Sequence, residues 1–378
     1  MKKHSTLIMV LAAVVLAVVA VRTSRTPTPT SLELAGQPVL PQLSAAAIER
    51  VVVSGPDATL EARQVQRAWV SPRHFGYPVD FAQIRTLVRK LADLRIGQPV
   101  AADAVVRARL KMYPPDAGRA AAETGSLVEF FDSNDQLLAA LLVGGTRDTV
   151  MEDGSRGGWP DGRYVSPDGG ETVYLVADAL HEMPTASDAW LQKEIMNVRQ
   201  ADISRITLVD TGGVEVALER IDGSFQAVNI DEHEETDDRH LFSVGGALSN
   251  LRMEDLADPA MSDEALGFDN PARFVAQTAN GTVYTALIGG RVENTGQRYA
   301  RFSVAMNEAF KPASDDAEEA NEEALQQLAE WQANAAATDA LNAHISRWTY
   351  VIPEHKATAM TRPRSALVKP REIEEDQE

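Results

Sequence analysis

The feature that most constrains this chain is a spaced self-similarity. The stretch "LADLR", Leu91 to Arg95, returns as "LSNLR", Leu248 to Arg252, 157 positions later. Ahead of the first, "VDFAQIRTLVRKLADL" sets Ile84, Leu87, Leu91 and Leu94 on one helical face. Asp80 stands at the N-cap with Gln83 at the capping-box position. The same shift leads to Leu241, Val244, Leu248 and Leu251, with Asp237 as the cap. A helix is expected over each stretch. The second would carry Gly245 and Gly246 inside it, at about 1 kcal/mol per Gly relative to Ala.

The likeness extends on both sides of the helix. Upstream, "IERVVV" from Ile48 matches "ISRITL" from Ile203, and each is followed by a turn and a second strand. A third strand carries Trp69 or Phe225. Downstream, "LVEFFDSNDQLLAALLVGG" and "RFVAQTANGTVYTALIGG" both read as hairpins ending in Gly-Gly, the latter with Asn280-Gly281 as a type I′ turn signal. "GRYV" and "QRYA" follow, then "TVYLV" and "WTYVI". The second copy holds an Ala-, Glu- and Gln-rich insert that is expected to be helical.

The fold class expected from this pattern is α+β: a tandem duplication of a module of antiparallel strands with a covering helix, preceded by one N-terminal transmembrane helix. The boundaries are 1–22 for a membrane anchor or signal, 23–44 for a Thr/Pro-rich linker, 45–189 for the first module and 190–370 for the second. The insert occupies about 311–344, and an acidic tail runs over 371–378.

The anchor rests on an uninterrupted apolar run, Leu7 to Val21, with Lys2 and Lys3 before it and Arg22 and Arg25 after. Fifteen helical residues reach about 22 Å, against a hydrocarbon core of roughly 30 Å. Snorkelling cations at both ends make a short span feasible. A cleaved secretory signal, with Val18 and Ala20 at its −3 and −1 positions, is the rival reading. Both place the bulk of the chain outside the cytoplasm, and the first makes it a single-pass inner-membrane protein with a periplasmic body.

Net charge is −19, which disfavours nucleic acid and anionic surfaces as partners. The chain has no cysteine, so disulfides, thiol nucleophiles and cysteine-type metal sites are excluded. The acids concentrate in two stretches, one over Asp231 to Asp238 and one between Pro312 and Ser346.

No residue pattern announces a reaction. "HEMPT" at His181 lacks the second histidine of a zinc-protease helix. "DEHEETDDRH", Asp231 to His240, has donors for a divalent cation but lacks the spacing and the glycine of an EF-hand loop, and reads first as a solvated loop. There is no G-x-S-x-G nucleophile elbow. Trp69, Trp159, Trp190 and Trp348 sit in strand or junction patterns and read as core. Trp331 lies instead in the acidic insert. With Leu325 and Leu328 it defines the one candidate surface for docking a partner, against the alternative of packing on its own module. No catalytic, cofactor or metal residues are assigned.

Taken together, these stretches resemble the bacterial domain-of-unknown-function 4340 family. The likeness is carried by "IERVVV", "RAWV", "GYPVD", "LVRKLADLR", "WLQKEIMNVRQADISRITL" and "LGFDNPARFVAQTANGTVYTALIGG". The acidic helical insert departs from the family pattern. The resemblance implies a membrane-anchored envelope protein, often encoded beside ABC-type transporter components of the kind linked to gliding motility. It therefore implies transporter permease and ATPase subunits as partners. The expected function is a non-catalytic accessory or scaffold subunit. An extracytoplasmic protein binding a small molecule or glycan in an inter-module cleft is the alternative.

Overall fold

The computed structural model describes residues 34–147, 159–312 and 322–371. The apolar run at the N-terminus, the start of the insert and the acidic tail lie outside the described residues. By its internal contacts the chain divides into two compact units, Met1–Trp190 and Leu191–Glu378. Each is a mainly antiparallel sheet with few helices.

The first unit opens with a meander, β1 (Arg50–Ser54), β2 (Thr59–Val65), β3 (Ala68–Ser71) and β4 (Tyr77–Pro78). Helix α1 (Phe81–Asp93) follows, then β5 (Gln98–Val100), the short α2 (Ala104–Arg109), β6 (Ser126–Phe131), β7 (Leu137–Arg147), β8 (Gly162–Ser166) and β9 (Val173–Val176). These nine strands form one sheet in the order β4-β3-β2-β1-β6-β7-β8-β9-β5. Asp80 caps α1 through the amide of Ala82, and the helix buries Ile84, Leu87, Val88 and Leu91. Each aliphatic side chain removed from water there contributes about 1.5–3 kcal/mol. The end of the expected linker packs too: Val39 and Leu40 are buried, and Val39 N donates to Leu94 O.

In the second unit, β10 (Glu194–Met196) precedes a meander of β11 (Ile203–Val209), β12 (Glu215–Ile221) and β13 (Ser224–Val228). Then come β14 (Glu234–Thr236), α3 (Leu241–Gly245), β15 (Leu251–Arg252), β16 (Asp255–Leu256), α4 (Asp263–Leu266), β17 (Ala272–Thr278), β18 (Thr282–Arg291) and β19 (Arg298–Met306). Helix α5 (Glu322–Ile345), β20 (Tyr350–Ile352), α6 (Glu354–Met360) and β21 (Val368–Pro370) complete it. The main sheet runs β13-β12-β11-β17-β18-β19-β20-β16. From the third meander strand onward this is the strand order of the first unit. The registers agree as well: Arg50 pairs with Phe131 and Arg205 with Gln277, while Val165 pairs with Tyr174 and Ala300 with Tyr350.

A second likeness lies below the level of strands. In β7 the register with β8 shifts between Val143 and Thr146, at Gly144-Gly145; in β18 it shifts between Ile288 and Arg291, at Gly289-Gly290. The chain leaving the short helix presses against each Gly-Gly. A Cβ on Gly144 would overlap Leu110 O and the Met112 sulfur, and one on Gly289 would overlap Leu266 O. An arginine closes each approach. Arg163 Nε donates to Gly144 O at 3.0 Å, and Arg298 donates to Gly289 O at 3.0 and 2.7 Å. Beneath it lies a matching cluster, with Leu110, Met112, Leu142 and Tyr164 in one unit and Leu266, Phe268, Leu287 and Tyr299 in the other.

Three expectations are corrected. The second covering helix is only five residues long and stops at Gly245, where the side chains of Gln200 and Phe225 leave no room for a Cβ. Leu248 and Leu251 are buried beyond its end, the latter in a strand. Asn280 keeps a negative φ, so Asn280-Gly281 is not a type I′ turn; only Gly281 (φ 88°) is left-handed, and the Asn280 side chain is held by Thr278 and Thr282. Trp190 is core, but Trp159 is 86% exposed.

The two approaches yield a paired test. Gly144→Ala and Gly289→Ala are each expected to destabilise by about 1–3 kcal/mol, as overpacked sites do. Gly145→Ala, whose added Cβ would lie 3.5 Å from Leu110 O, is expected to cost clearly less. Urea midpoints of the three variants check this ordering.

Candidate functional site

The docking surface expected on the insert is built on α5. A stripe of partly or fully buried positions, Ala324, Leu328, Trp331, Ala335, Thr338, Asn342 and Ile345, runs along it at three- and four-residue intervals, flanked by the partly buried Asn334, Leu341 and His344. That stripe lies against β19, where Asn342 Oδ1 accepts from Val304 N at 3.0 Å. Leu328 and Trp331 therefore pack on their own unit. Leu325 does not join them: it is 55% exposed and lies about 120° around the helix from Trp331. Lys311 Nζ stands 5.4 Å from the Trp331 ring centroid. The indole N–H is buried with no hydrogen-bond partner among the described residues. The outward face carries Leu325 with Glu323, Glu330 and Asp339, so what α5 offers a partner is acidic and small-residued with one leucine.

The acidic stretch Asp231 to His240 takes another form from the solvated loop expected. Its centre is β14, which pairs antiparallel with β21 near the end of the chain. Glu234 receives a two-pronged contact from Arg364 at 2.7 and 2.5 Å, and Glu235 meets Lys369 at 3.0 Å. Asp237 takes the Arg239 amide and guanidinium. Bonds from Arg364 and the Asp231 amide hold the Glu234 carboxyl down to about 2, and Arg239 does the same to Asp237, also about 2. Carboxylates held this way are pinning backbone. Among the described residues no group of three or more His, Asp or Glu side chains is placed to hold a metal ion.

The half-buried cations have similar duties. Besides Gly144 O, Arg163 donates to Ala179 O and Leu180 O, and burial lowers the pKa of its guanidinium. Lys356, its amine also lowered by burial, donates to Gly246 O and Ser249 O just past α3. On the surface Lys90 joins α1 to Glu182 at 2.7 Å, which places the "HEMPT" stretch against that helix. Sequence reasoning missed Arg163, Arg298 and Lys356. Only the shared Arg-Tyr pair of "GRYV" and "QRYA" signalled the two arginines.

The model of a family described as domain of unknown function (DUF4340) matches residues 69–271, more than half of the chain. The chain belongs to this family. The DUF4340 match begins inside β3 and ends just before β17, so α5 lies outside it. No curated protein and no solved structure matches the chain.

The β14–β21 clasp makes stability depend on acid. Its depressed carboxyls stabilise the fold fully above their ordinary values, 4.5 for Glu234 and 3.8 for Asp237. That contribution is lost as pH falls towards about 2. Arg364→Ala is expected to lower the urea midpoint at neutral pH and to flatten its fall between about 4.5 and about 2. Urea titrations of both proteins across that range read the difference.

Proposed function

We propose that this DUF4340 protein is a tandem duplication of one α+β module, held at the inner membrane by its N-terminal apolar run with its bulk in the periplasm. In this reading it is a non-catalytic accessory or scaffold subunit of an ABC-type transport or cell-envelope complex. Common strand order, equivalent registers and the repeated Gly-Gly and arginine contact support the duplication. The anchor rests on the run Leu7 to Val21 between paired cations. The observation that carries the scaffold role is the employment of the half-buried charges. Arg163, Arg298 and Lys356 direct their donors at backbone carbonyls, the work of a rigid framework.

The partner surface in this reading includes the outer face of α5, where an acidic helix suits a basic partner. Affinity purification from crosslinked native membranes, followed by mass spectrometry, tests the proposal. Transporter permease and ATPase subunits are expected to be recovered with the chain, and Glu330→Lys on that exposed face to reduce their yield. Recovery of the chain alone, under conditions where a known complex survives, contradicts it.

A further inference from the structure

The first unit contains a cleft of about 200 Å³ beside the arginine contact. It is walled by the β1–β2 turn at Gly55, by Gly125 and Ser126 at the start of β6, by Lys111 and Arg163, and by Thr185. Two cations and one acid, Asp57, line it, a positive balance in a chain of net charge −19. Arg163 holds its three carbonyls through Nε and Nη1, leaving Nη2 outside that grip. Burial already strips water from the guanidinium, which strengthens its attraction for an anion.

Lys111 is the second indication. It takes the left-handed conformation (φ 57°) just after α2, where the second unit has Gly267 (φ 72°). A lysine at a position that favours glycine is held against a backbone cost, and such residues concentrate at binding sites. Lys111 is exposed and makes no ion pair among the described residues.

Comparison of the two sheets supplies the third. By strand pairing, Ser126 corresponds to Ala272, Gly125 to Pro271 and Thr124 to Asn270. In the second unit Asn270 Nδ2 donates to Thr211 O, tying the β11–β12 turn to the start of β17. The ammonium and the hydroxyl are thus present in the unit whose cleft is open. Where an asparagine bridges the same place, Gly267 and Ala272 stand instead.

We propose that the cleft of the first unit binds a small molecule through its carboxylate or phosphate group. Lys111 supplies charge, and Arg163 Nη2 and the Ser126 hydroxyl supply donors. This goes beyond the scaffold reading and does not depend on the duplication having an evolutionary origin.

The test uses the whole chain in detergent micelles, titrated at constant ionic strength with inorganic phosphate and, separately, with acetate. The amide resonances of Gly55, Gly125 and Ser126 are followed. Saturable shifts with at least one anion are expected, and the one that saturates at lower concentration identifies the group. Lys111→Gly relieves the backbone, so it is expected to raise the melting temperature while weakening binding at least tenfold. Ser126→Ala, which installs the residue of the second unit, is expected to weaken binding severalfold without unfolding. Absence of saturation with both anions, or equal saturation in both variants, overturns the proposal.

Discussion

The structure of each unit depends on a close approach that only glycine permits. A long strand must bulge where the chain returns from a short helix, and the returning carbonyl comes too near for any Cβ at Gly144 or Gly289. An arginine on the next strand turns this crowding into a fixed point by donating to the glycine carbonyl. The small cluster lies beneath it, and the sheet continues past the bulge through β8 and β9 to β5 in the first unit and through β19 and β20 to β16 in the second. Breaking the approach would uncouple the meander half of each sheet from the half beyond the bulge.

Much of this was legible in the sequence, and the legible parts share a cause. Asp80 and Asp237 show as caps because both accept from the amide two residues on. The Gly-Gly pairs and the Arg-Tyr pairs show because steric exclusion and a half-buried guanidinium bonded to the glycine carbonyl restrict residue choice. What was hidden depends on long-range partners. The ladder between β14 and β21 joins residues separated by more than a hundred positions, so "DEHEETDDRH" read alone resembled a free acidic loop. Gln66-Arg67 makes the same two-residue left-handed turn as Asp222-Gly223 without a glycine to announce it. The side chains of Gln200 and Phe225 pack on Gly245 at the end of α3 too closely for a Cβ, an approach no helical periodicity can report.

The candidate docking residues divided for a simple geometric reason. Leu325 and Trp331 lie about 120° apart around the helix, with Leu328 about 60° from each; the sheet takes the side of Leu328 and Trp331 and leaves Leu325 out. Sequence could place three apolar side chains on one helix but could not say which face the sheet would take. The cleft beside Arg163 was not legible either, because it is made of a turn, a left-handed lysine and a strand start brought together by register. A framework whose half-buried charges hold backbone, with one such charge also bordering an open cleft, accommodates both a scaffold role and a small ligand.

The most direct test of the account asks whether each unit is a complete module. Residues 34–190 and 191–371, expressed as separate chains, are expected to show native-like amide dispersion and one cooperative urea transition each. Absence of a cooperative transition in either half, with the whole chain folded under the same conditions, would contradict the central claim.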